Sequence, residues 1–382
     1  MSESKIYFRN LDAIRFIAAM MVLLGHAFQP SYRFLPISGS FFERLLNTIS
    51  SGETGVSIFF VLSGFLITYL LVSEYEIFNR ISLKQFYIRR VLRIWPLYYF
   101  VVFFSFMIYP VLKSMIGMNN PLGSDVIYHL FFLSNFDVIN IEHHCYGSEA
   151  MSQNITWSVS VEEQFYLFWP LIFVLLPRKS WRYAIVAVIA GSLFFRMANT
   201  NDGTVLYFHT LSVLLDLGIG GLMALLIKTN YRIRSFFEQT TSPIHFTFFS
   251  ISFILVCWND IFFSFHYGNA FGRLAIAISF ALIIASQAMT KNSGSMNLQR
   301  LTFASRWGKY TYGIYLLHPI ALTLVTVFFR LVHFKGNDFL SLFSIGIFSL
   351  LFTLLLSRLS YRYFESHFLK MKDRFTTLNT RV

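Results

Sequence analysis

Long apolar segments recur along the whole chain, and they constrain its fold more than any other feature of the sequence. Ten of them approach the length of roughly 20 residues that a helix needs to cross a bilayer. They cover residues 11–28, 56–72, 94–112, 156–176, 183–200, 205–227, 244–263, 271–289, 307–329 and 339–357. Of the 382 residues, 55% are hydrophobic and only 13% are charged, whereas about a quarter of a soluble domain is charged. The sequence therefore predicts an all-α polytopic membrane protein with about ten transmembrane helices.

The distribution of basic residues predicts the orientation of these helices. If the N-terminus is cytoplasmic, 23 of the 31 Lys and Arg residues lie in cytoplasmic segments, 7 lie in outer segments and Arg15 lies in the first helix. Membrane proteins concentrate Lys and Arg in cytoplasmic loops, which explains the net charge of +12 without a nucleic-acid partner. We therefore expect both termini to be cytoplasmic. The bias holds only if the short apolar segment 126–134 does not cross, so we interpret that segment as re-entrant or interfacial on the outer side.

We expect a single transmembrane domain over residues 1–360, followed by a short basic cytoplasmic tail over residues 361–382. The first apolar segment lacks the cleavage pattern of a signal peptide, so we expect it to be retained. The apolar composition predicts that the lipid bilayer is a partner of the protein. We expect that bilayer to be the bacterial inner membrane. Nothing in the sequence indicates an oligomeric state.

The predicted outer loop 113–155 contains the adjacent residues His143, His144 and Cys145. Structural metal sites use ligands at characteristic spacings, so we interpret this run as part of a polar loop and expect no metal. The two cysteines of the chain, Cys145 and Cys257, both fall on the predicted outer side. A disulfide between them and a pair of free thiols are both compatible with that placement.

The first apolar segment carries three ionisable residues, Asp12, Arg15 and His26. An Asp or Arg at the bilayer centre costs about 2.5–3.5 kcal/mol, so such residues usually face a protein interior or a water-filled cavity. Arg15 and His26 are three turns apart on one helix face, separated by about 16 Å along the axis. Asp12 lies three residues before Arg15 on the same face. The pattern indicates a charged pair near the cytoplasm and an imidazole near the outer leaflet.

Arg89, Arg90 and Arg93 form the densest basic cluster of the chain, within the stretch FYIRRVLRIWPLYY. Cytoplasmic anchoring is one interpretation of this cluster. Phosphate binding is the other, because the planar guanidinium group matches phosphate oxygens in a bidentate manner.

Two adjacent carboxylates, Glu162 and Glu163, lie in the stretch WSVSVEEQFY. Ser158, Glu162 and Tyr166 share a helix face, and Glu163 points about 100° away. At least one of the two carboxylates needs a partner or a proton in an apolar helix. Because our topology puts Glu162 and His26 at similar depths, we expect Glu162 to pair with His26. Glu163 is the rival for that role, and a bond from Glu162 to a neighbouring helix is the alternative.

His318 directly precedes Pro319 within an apolar segment. A proline inside a helix frees a backbone carbonyl, so His318 would either satisfy that local polarity or line a cavity. The stretch GVSIFFVLSGFLIT contains the small residues Ser57, Ser63 and Gly64, which favour close helix packing.

The Arg15-x10-His26 spacing resembles the integral-membrane acyltransferase-3 family, whose members O-acylate cell-surface glycans and some other acceptors. The resemblance continues in order along nearly the whole chain. It extends through GVSIFFVLSGFLITYLL (55–71), FYIRRVLRIWPLYYF (86–100), TWSVSVEEQFYLFWPL (156–171) and YTYGIYLLHPI (310–320).

The resemblance implies an acyl-coenzyme A donor, with acetyl as the expected acyl group. Its phosphates would bind from the cytoplasm to Arg90 and Arg93, with Arg89 nearby. Arg15 would hold or neutralise a donor group along the polar face of the first helix, and Asp12 would position Arg15.

On this interpretation His26 is the general base for an acceptor hydroxyl, with Glu162 as its partner. A covalent acyl intermediate is the alternative route. Further candidate substrate contacts are Ser158, Glu163, Tyr166 and His318. The acceptor would be an extracytoplasmic glycan. Some family members carry a C-terminal esterase-like domain, for which this sequence has no segment. We therefore favour O-antigen or exopolysaccharide over peptidoglycan as the acceptor.

A transporter or flippase for a lipid-linked sugar is the alternative from another functional class, with the buried charges as a relay. Coenzyme A binding discriminates between the two, because a flippase has no use for it. A non-catalytic membrane scaffold would not need ionisable residues at these depths.

Overall fold

The computed structural model describes residues 8–32, 34–35, 39–115, 123–144, 155–291, 294–332 and 339–375. Within these ranges the regular elements are all helical. Helices satisfy their backbone hydrogen bonds within one segment, as a chain surrounded by lipid requires. The α-helices in chain order are α1 (Arg9–Tyr32), α2 (Phe41–Ile49), α3 (Gly52–Phe78), α4 (Leu83–Phe103), α5 (Tyr109–Met115), α6 (Val126–Leu130), α7 (Ser134–His144), α8 (Thr156–Leu175), α9 (Trp181–Ala198), α10 (Gly203–Phe208), α11 (Thr210–Thr229), α12 (Tyr231–Glu238), α13 (Ser242–Cys257), α14 (Asn259–Phe262), α15 (Gly268–Met289), α16 (Thr302–Trp307), α17 (Thr311–Leu331), α18 (Phe339–Ser360) and α19 (Ser366–Asp373).

Short non-α turns connect several of these helices. Two π-helical turns, Phe104–Ile108 and Tyr361–Glu365, join α4 to α5 and α18 to α19. The 3₁₀ turns are Arg178–Ser180, Leu298–Arg300 and Gly308–Tyr310. The last helical segment thus continues beyond residue 360, where we expected the cytoplasmic tail to begin.

The described chain is that of a multi-pass membrane protein, as predicted. Eight helical stretches are long and apolar enough to cross a bilayer, and α12 with α13 makes a ninth if that pair, bent by 100°, is one span. The remaining predicted segment is helical as α8, but it does not pass the same test. Its Glu162, Glu163 and Gln164 lower its mean hydropathy, which is why the predicted number of ten exceeds eight or nine.

The segment 126–134 does not form a membrane span. Its helix α6 covers only Val126–Leu130, about 8 Å of rise, against a hydrocarbon core of about 30 Å. Tyr98 Oη donates to the carbonyl of His129 at 2.8 Å, and His129 Nδ1 lies 3.0 Å from Thr156 Oγ1. These contacts tie α6 to α4 and α8 inside the bundle, so the prediction that this segment does not cross is confirmed.

Glycines allow α3 and α11 to pack with their backbones in contact. A Cβ atom at Gly64 would overlap the carbonyl oxygen of Leu217, and one at Gly220 would overlap the carbonyl oxygen of Val61. Backbones approach this closely only where side chains are absent. The contact confirms the predicted packing role for Gly64.

Candidate functional site

Helix α1 supplies both ends of the site. Asp12 Oδ1 lies 2.8 Å from Arg15 Nη1, and each of these side chains is 11% exposed. The i,i+3 spacing predicts this pair, and the structure forms it. His26 lies about 16 Å further along the same helix face. The two ends open into two different pockets.

The pocket at Arg15, here called the arginine pocket, lies between α1, α3, α4, α8 and α17. Its cavity volume is about 110 Å³. The polar part of its lining is Arg15, Ser63, Arg90, Arg93, Ser158, Glu162, Tyr166, Thr311, Tyr312 and Tyr315. Apolar side chains such as Phe59 and Leu66 complete the wall. The pocket therefore combines three guanidinium groups with a narrow, mostly apolar space.

Arg90 and Arg93 come from adjacent turns of α4. Arg90 packs over the ring of Tyr166, with Cζ 5.5 Å from the ring centroid, and its Nε is buried without a hydrogen-bond partner. In the described part of the chain, neither Arg90 nor Arg93 forms an ion pair. Partly buried guanidinium groups without a direct ion pair are costly, so the arrangement suits a bound anion.

Arg89 does not reach the arginine pocket. Its Nη1 donates to the carbonyl of Phe375 at 3.0 Å, and its Nη2 lies 3.5 Å from Glu74, which is itself 3% exposed. Arg89 thus joins α3, α4 and the segment after α19. The structure therefore does not group Arg89 with Arg90 and Arg93, because its side chain turns towards the only nearby buried carboxylate of α3.

The expected pair between Glu162 and His26 does not form. Glu162 accepts from Ser63 Oγ at 2.6 Å and from Tyr166 Oη at 3.1 Å, inside the arginine pocket. The similar predicted depth was misleading, because Glu162 and His26 line two separate pockets. Glu163 does not pair with His26 either, since Glu163 accepts a hydrogen bond from Trp95 Nε1 at 2.9 Å.

The pocket at His26, here called the histidine pocket, has a cavity volume of about 260 Å³. His26 Nδ1 lies 2.9 Å from His318 Nε2, and the two rings stack with centroids 5.0 Å apart. Four aromatic side chains and one carboxylate also line it, namely Trp157, Tyr207, Phe208, Tyr315 and Glu142. The sequence analysis identified His26 and His318 but not the contact between them. It did not identify Glu142 or the aromatic residues.

Tyr315 separates the two pockets and lines both, as does Val56. The Tyr315 hydroxyl lies 2.5 Å from Ser158 Oγ, so this pair spans from α17 to α8. The two pockets therefore share a wall at Tyr315 and Val56. The spacing of Tyr315 three residues before His318, on one helix face, is a signal that could have identified it.

A second buried charge cluster lies away from the two pockets. Arg273 contacts Asp216 through two nitrogens, at 2.5 to 3.1 Å, and reaches Glu53 at 3.1 Å. Asp216 is completely buried. Since each charge has its counter-charge, this cluster is explained by helix pairing between α11 and α15.

The candidate metal and disulfide residues lie largely outside what the structure describes. Cys145 is outside the described residues, and the side chains of His143 and His144 are not described either. Cys257 is a buried thiol 3.1 Å from Thr48 Oγ1. Within the described residues, no group of three or more His, Cys, Asp or Glu residues could hold a metal ion.

The geometry separates two kinds of chemistry. The arginine pocket presents positive charge beside a mostly apolar wall, which suits an anionic molecule. The histidine pocket presents an imidazole and aromatic rings. The two pockets thus offer different chemistry on the two sides of Tyr315.

Comparison with known proteins places this arrangement in a family. Residues 8–358 match the family model described as "Acyltransferase domain" (Acyl_transf_3). One similar relative is the "Putative peptidoglycan O-acetyltransferase YrhL" of Bacillus subtilis, with 28% identity over 94% of this chain and 54% of the relative. Another is the "Peptidoglycan O-acetyltransferase OatA" of Listeria monocytogenes, with 27% identity over 95% of this chain and 56% of the relative.

The chain thus spans little more than half the length of the curated relatives it matches. No solved structure matches it. The family model, by contrast, includes both pockets and every helix that lines them. The chain belongs to the acyltransferase-3 family.

Proposed function

We propose that this protein is a membrane O-acyltransferase. It moves an acyl group, most simply acetyl, from acyl-coenzyme A to a hydroxyl group of an extracytoplasmic glycan. Its place is the bacterial inner membrane, with the donor entering from the cytoplasm. The names of the relatives support O-acetyl transfer, and the pockets supply a separate place for each substrate.

One observation carries the proposal: a pocket with unpaired arginines and a pocket with a histidine meet at Tyr315. Arg90 and Arg93 suit the phosphates of coenzyme A, because guanidinium groups bind phosphate oxygens strongly. The cavity of about 110 Å³ is too small for the whole donor, so the adenosine would stay outside while the phosphates reach Arg90 and Arg93. The thioester end of the pantetheine arm would enter past Arg15 towards the partition.

The transfer step needs a base on the acceptor side. His26 takes the proton of the acceptor hydroxyl as its oxygen attacks the thioester carbonyl. A new carbon–oxygen ester bond forms and the carbon–sulfur bond breaks. The coenzyme leaves as a thiolate, which receives a proton from the histidinium. Ser158 and Tyr315 lie at the partition, and their hydroxyl groups suit stabilisation of the negative charge that develops on the carbonyl oxygen.

The acceptor proposal rests on the histidine pocket and on the relatives. Trp157, Tyr207 and Phe208 offer flat apolar faces that suit the C–H faces of a sugar ring. Two relatives are named for peptidoglycan, so peptidoglycan stands beside O-antigen and exopolysaccharide as a candidate acceptor. Our preference against peptidoglycan has no support in these names.

Transfer from radiolabelled acetyl-coenzyme A tests the proposal. Membranes that contain the wild-type protein are compared with membranes that contain His26→Ala, and label is measured in peptidoglycan and in other surface glycans. Label that depends on His26 supports the proposal, and the labelled fraction identifies the acceptor class. If neither membrane transfers label and the purified protein does not bind coenzyme A, the proposal is wrong and a flippase becomes the better explanation.

A further inference from the structure

Two imidazoles meet at the wall of the histidine pocket, on helices that are distant in sequence. His26 on α1 and His318 on α17 are 2.9 Å apart between Nδ1 and Nε2. Their rings are almost parallel, with an interplanar angle of 15°. In the proposed reaction His26 is the base, and His318 has no assigned role.

The second nitrogen of His318 determines which way this hydrogen bond runs. His318 Nδ1 lies 3.2 Å from the carbonyl oxygen of Ile314, which can only accept. Nδ1 of His318 therefore carries the proton. The ring is 1% exposed and has no carboxylate partner among the described residues, so it stays neutral and its Nε2 must accept.

The proton position on His318 also determines the proton position on His26. Because His318 Nε2 accepts, His26 Nδ1 donates and carries the only proton of a neutral imidazole. The lone pair of His26 is then on Nε2. No described residue bonds to this nitrogen, and His26 lines the histidine pocket.

We infer that His318 is a positioning residue that fixes the tautomer of His26, so that Nε2 of His26 is the base of the reaction. The inference rests on the proposed function. When His26 takes up a proton, His318 Nε2 still accepts from its Nδ1–H and stabilises the resulting cation. His318 thus acts on His26 as an oriented acceptor acts on any catalytic histidine, with a neutral imidazole in place of a carboxylate.

Substitutions at position 318 separate this role from simple packing. His318→Gln keeps an acceptor, the amide oxygen, near the position of Nε2, and His318→Leu removes it. We expect His318→Leu to lower turnover roughly 10- to 100-fold, as the loss of an orienting partner does, with the coenzyme A dissociation constant within two-fold of wild type. His318→Gln should keep most of the turnover. Equal losses in the two variants, or no loss in His318→Leu, would overturn the inference.

A chemical lock on the tautomer provides a rescue experiment. Nδ-methylhistidine at position 26 cannot carry a proton on Nδ1 and keeps its lone pair on Nε2. The methyl group needs the space of the His318 ring, so it is introduced together with His318→Ala. We expect this double variant to be more active than His318→Ala alone. Activity no higher than that of His318→Ala would contradict the assignment of Nε2.

A labelling experiment keeps the inference separate from the proposed function. Diethyl pyrocarbonate acylates unprotonated imidazole nitrogens, and peptide mass spectrometry locates the adduct. In the methylated double variant only Nε2 can react, so label at position 26 shows that this nitrogen faces the pocket. Absence of that label refutes the inference even if the wild-type protein transfers no acyl group. Label in this variant, with no transfer by the wild-type protein, would refute the proposed function and leave only the orientation of His26 standing.

Discussion

Neutralising the arginines of α4 gives the sharpest test of donor binding. Arg90 and Arg93 line the arginine pocket and have no carboxylate partner in the described chain. Replacing either by Gln removes one positive charge from the pocket and leaves no ion pair broken. Glu162, the nearest carboxylate of the pocket, keeps its bonds to Ser63 and Tyr166. Either substitution should therefore weaken donor binding without impairing folding.

The size of the loss follows from the kind of bond removed. A hydrogen bond to a charged group contributes about 1.5–3 kcal/mol. At about 1.4 kcal/mol for each factor of ten, each substitution should raise the dissociation constant of coenzyme A roughly 10- to 150-fold. Turnover at saturating donor should change much less, because neither arginine lines the histidine pocket, where the proposed base lies.

Binding of tritiated coenzyme A to the purified protein in nanodiscs measures this constant directly. Arg80→Gln is the matched control, since Arg80 is an exposed arginine at the end of α3 and makes the same change of net charge. Dephospho-coenzyme A, which lacks the 3′-phosphate, adds a second comparison. The arginine that contacts the 3′-phosphate should lose its effect with this ligand.

Two results would refute the reasoning. If Arg90→Gln and Arg93→Gln bind coenzyme A as tightly as Arg80→Gln, the cluster serves only as a topological anchor. If all three variants weaken binding equally, the effect is one of overall charge and the pocket geometry has no part in it.

Three further predictions concern the base, the packing and the topology. His26→Ala should lower turnover by a factor of about 10²–10⁴, the usual contribution of a general base, with unchanged coenzyme A binding; near-wild-type turnover would remove His26 from that role. Gly64→Ala should cost about 1–3 kcal/mol by pushing α3 away from Leu217, which thermal unfolding in detergent would detect as a lower midpoint. An unchanged midpoint would mean that the helices separate freely. Asn140→Cys in a Cys145→Ala background should react with an impermeant maleimide on intact cells; reaction only after permeabilisation would reverse the predicted orientation.

Rules that apply within a single helix predicted most of the helices and one contact of the site, the pair between Asp12 and Arg15. The ten apolar segments each contain a helix, because length and composition decide whether a segment can satisfy its backbone in lipid. The pair between Asp12 and Arg15 also followed, since an i,i+3 spacing on one helix fixes the distance in advance. Both predictions use information from within a single helix.

Contacts between helices were harder to predict, and His26 shows why. Its partner His318 is 292 residues away, and the choice between His318 and Glu162 depends on how each helix is rotated about its axis. Apolar residues surround most of these helices on all sides, so hydrophobic periodicity carries little information about rotation. Depth in the membrane was the only remaining guide, and it cannot distinguish two pockets at neighbouring depths.

Ser63 shows how a packing motif conceals a site residue. Its place beside Gly64 predicts close helix packing, and Gly64 does provide it. One residue earlier, however, the same helix faces the arginine pocket, and Ser63 donates to Glu162. The close packing of α3 against α11 and the polar contact of α3 with α8 are linked. The short hydroxyl of Ser63 reaches α8 because α3 packs closely against α11 inside the bundle. The small residues of α3 therefore serve the site through the packing they allow.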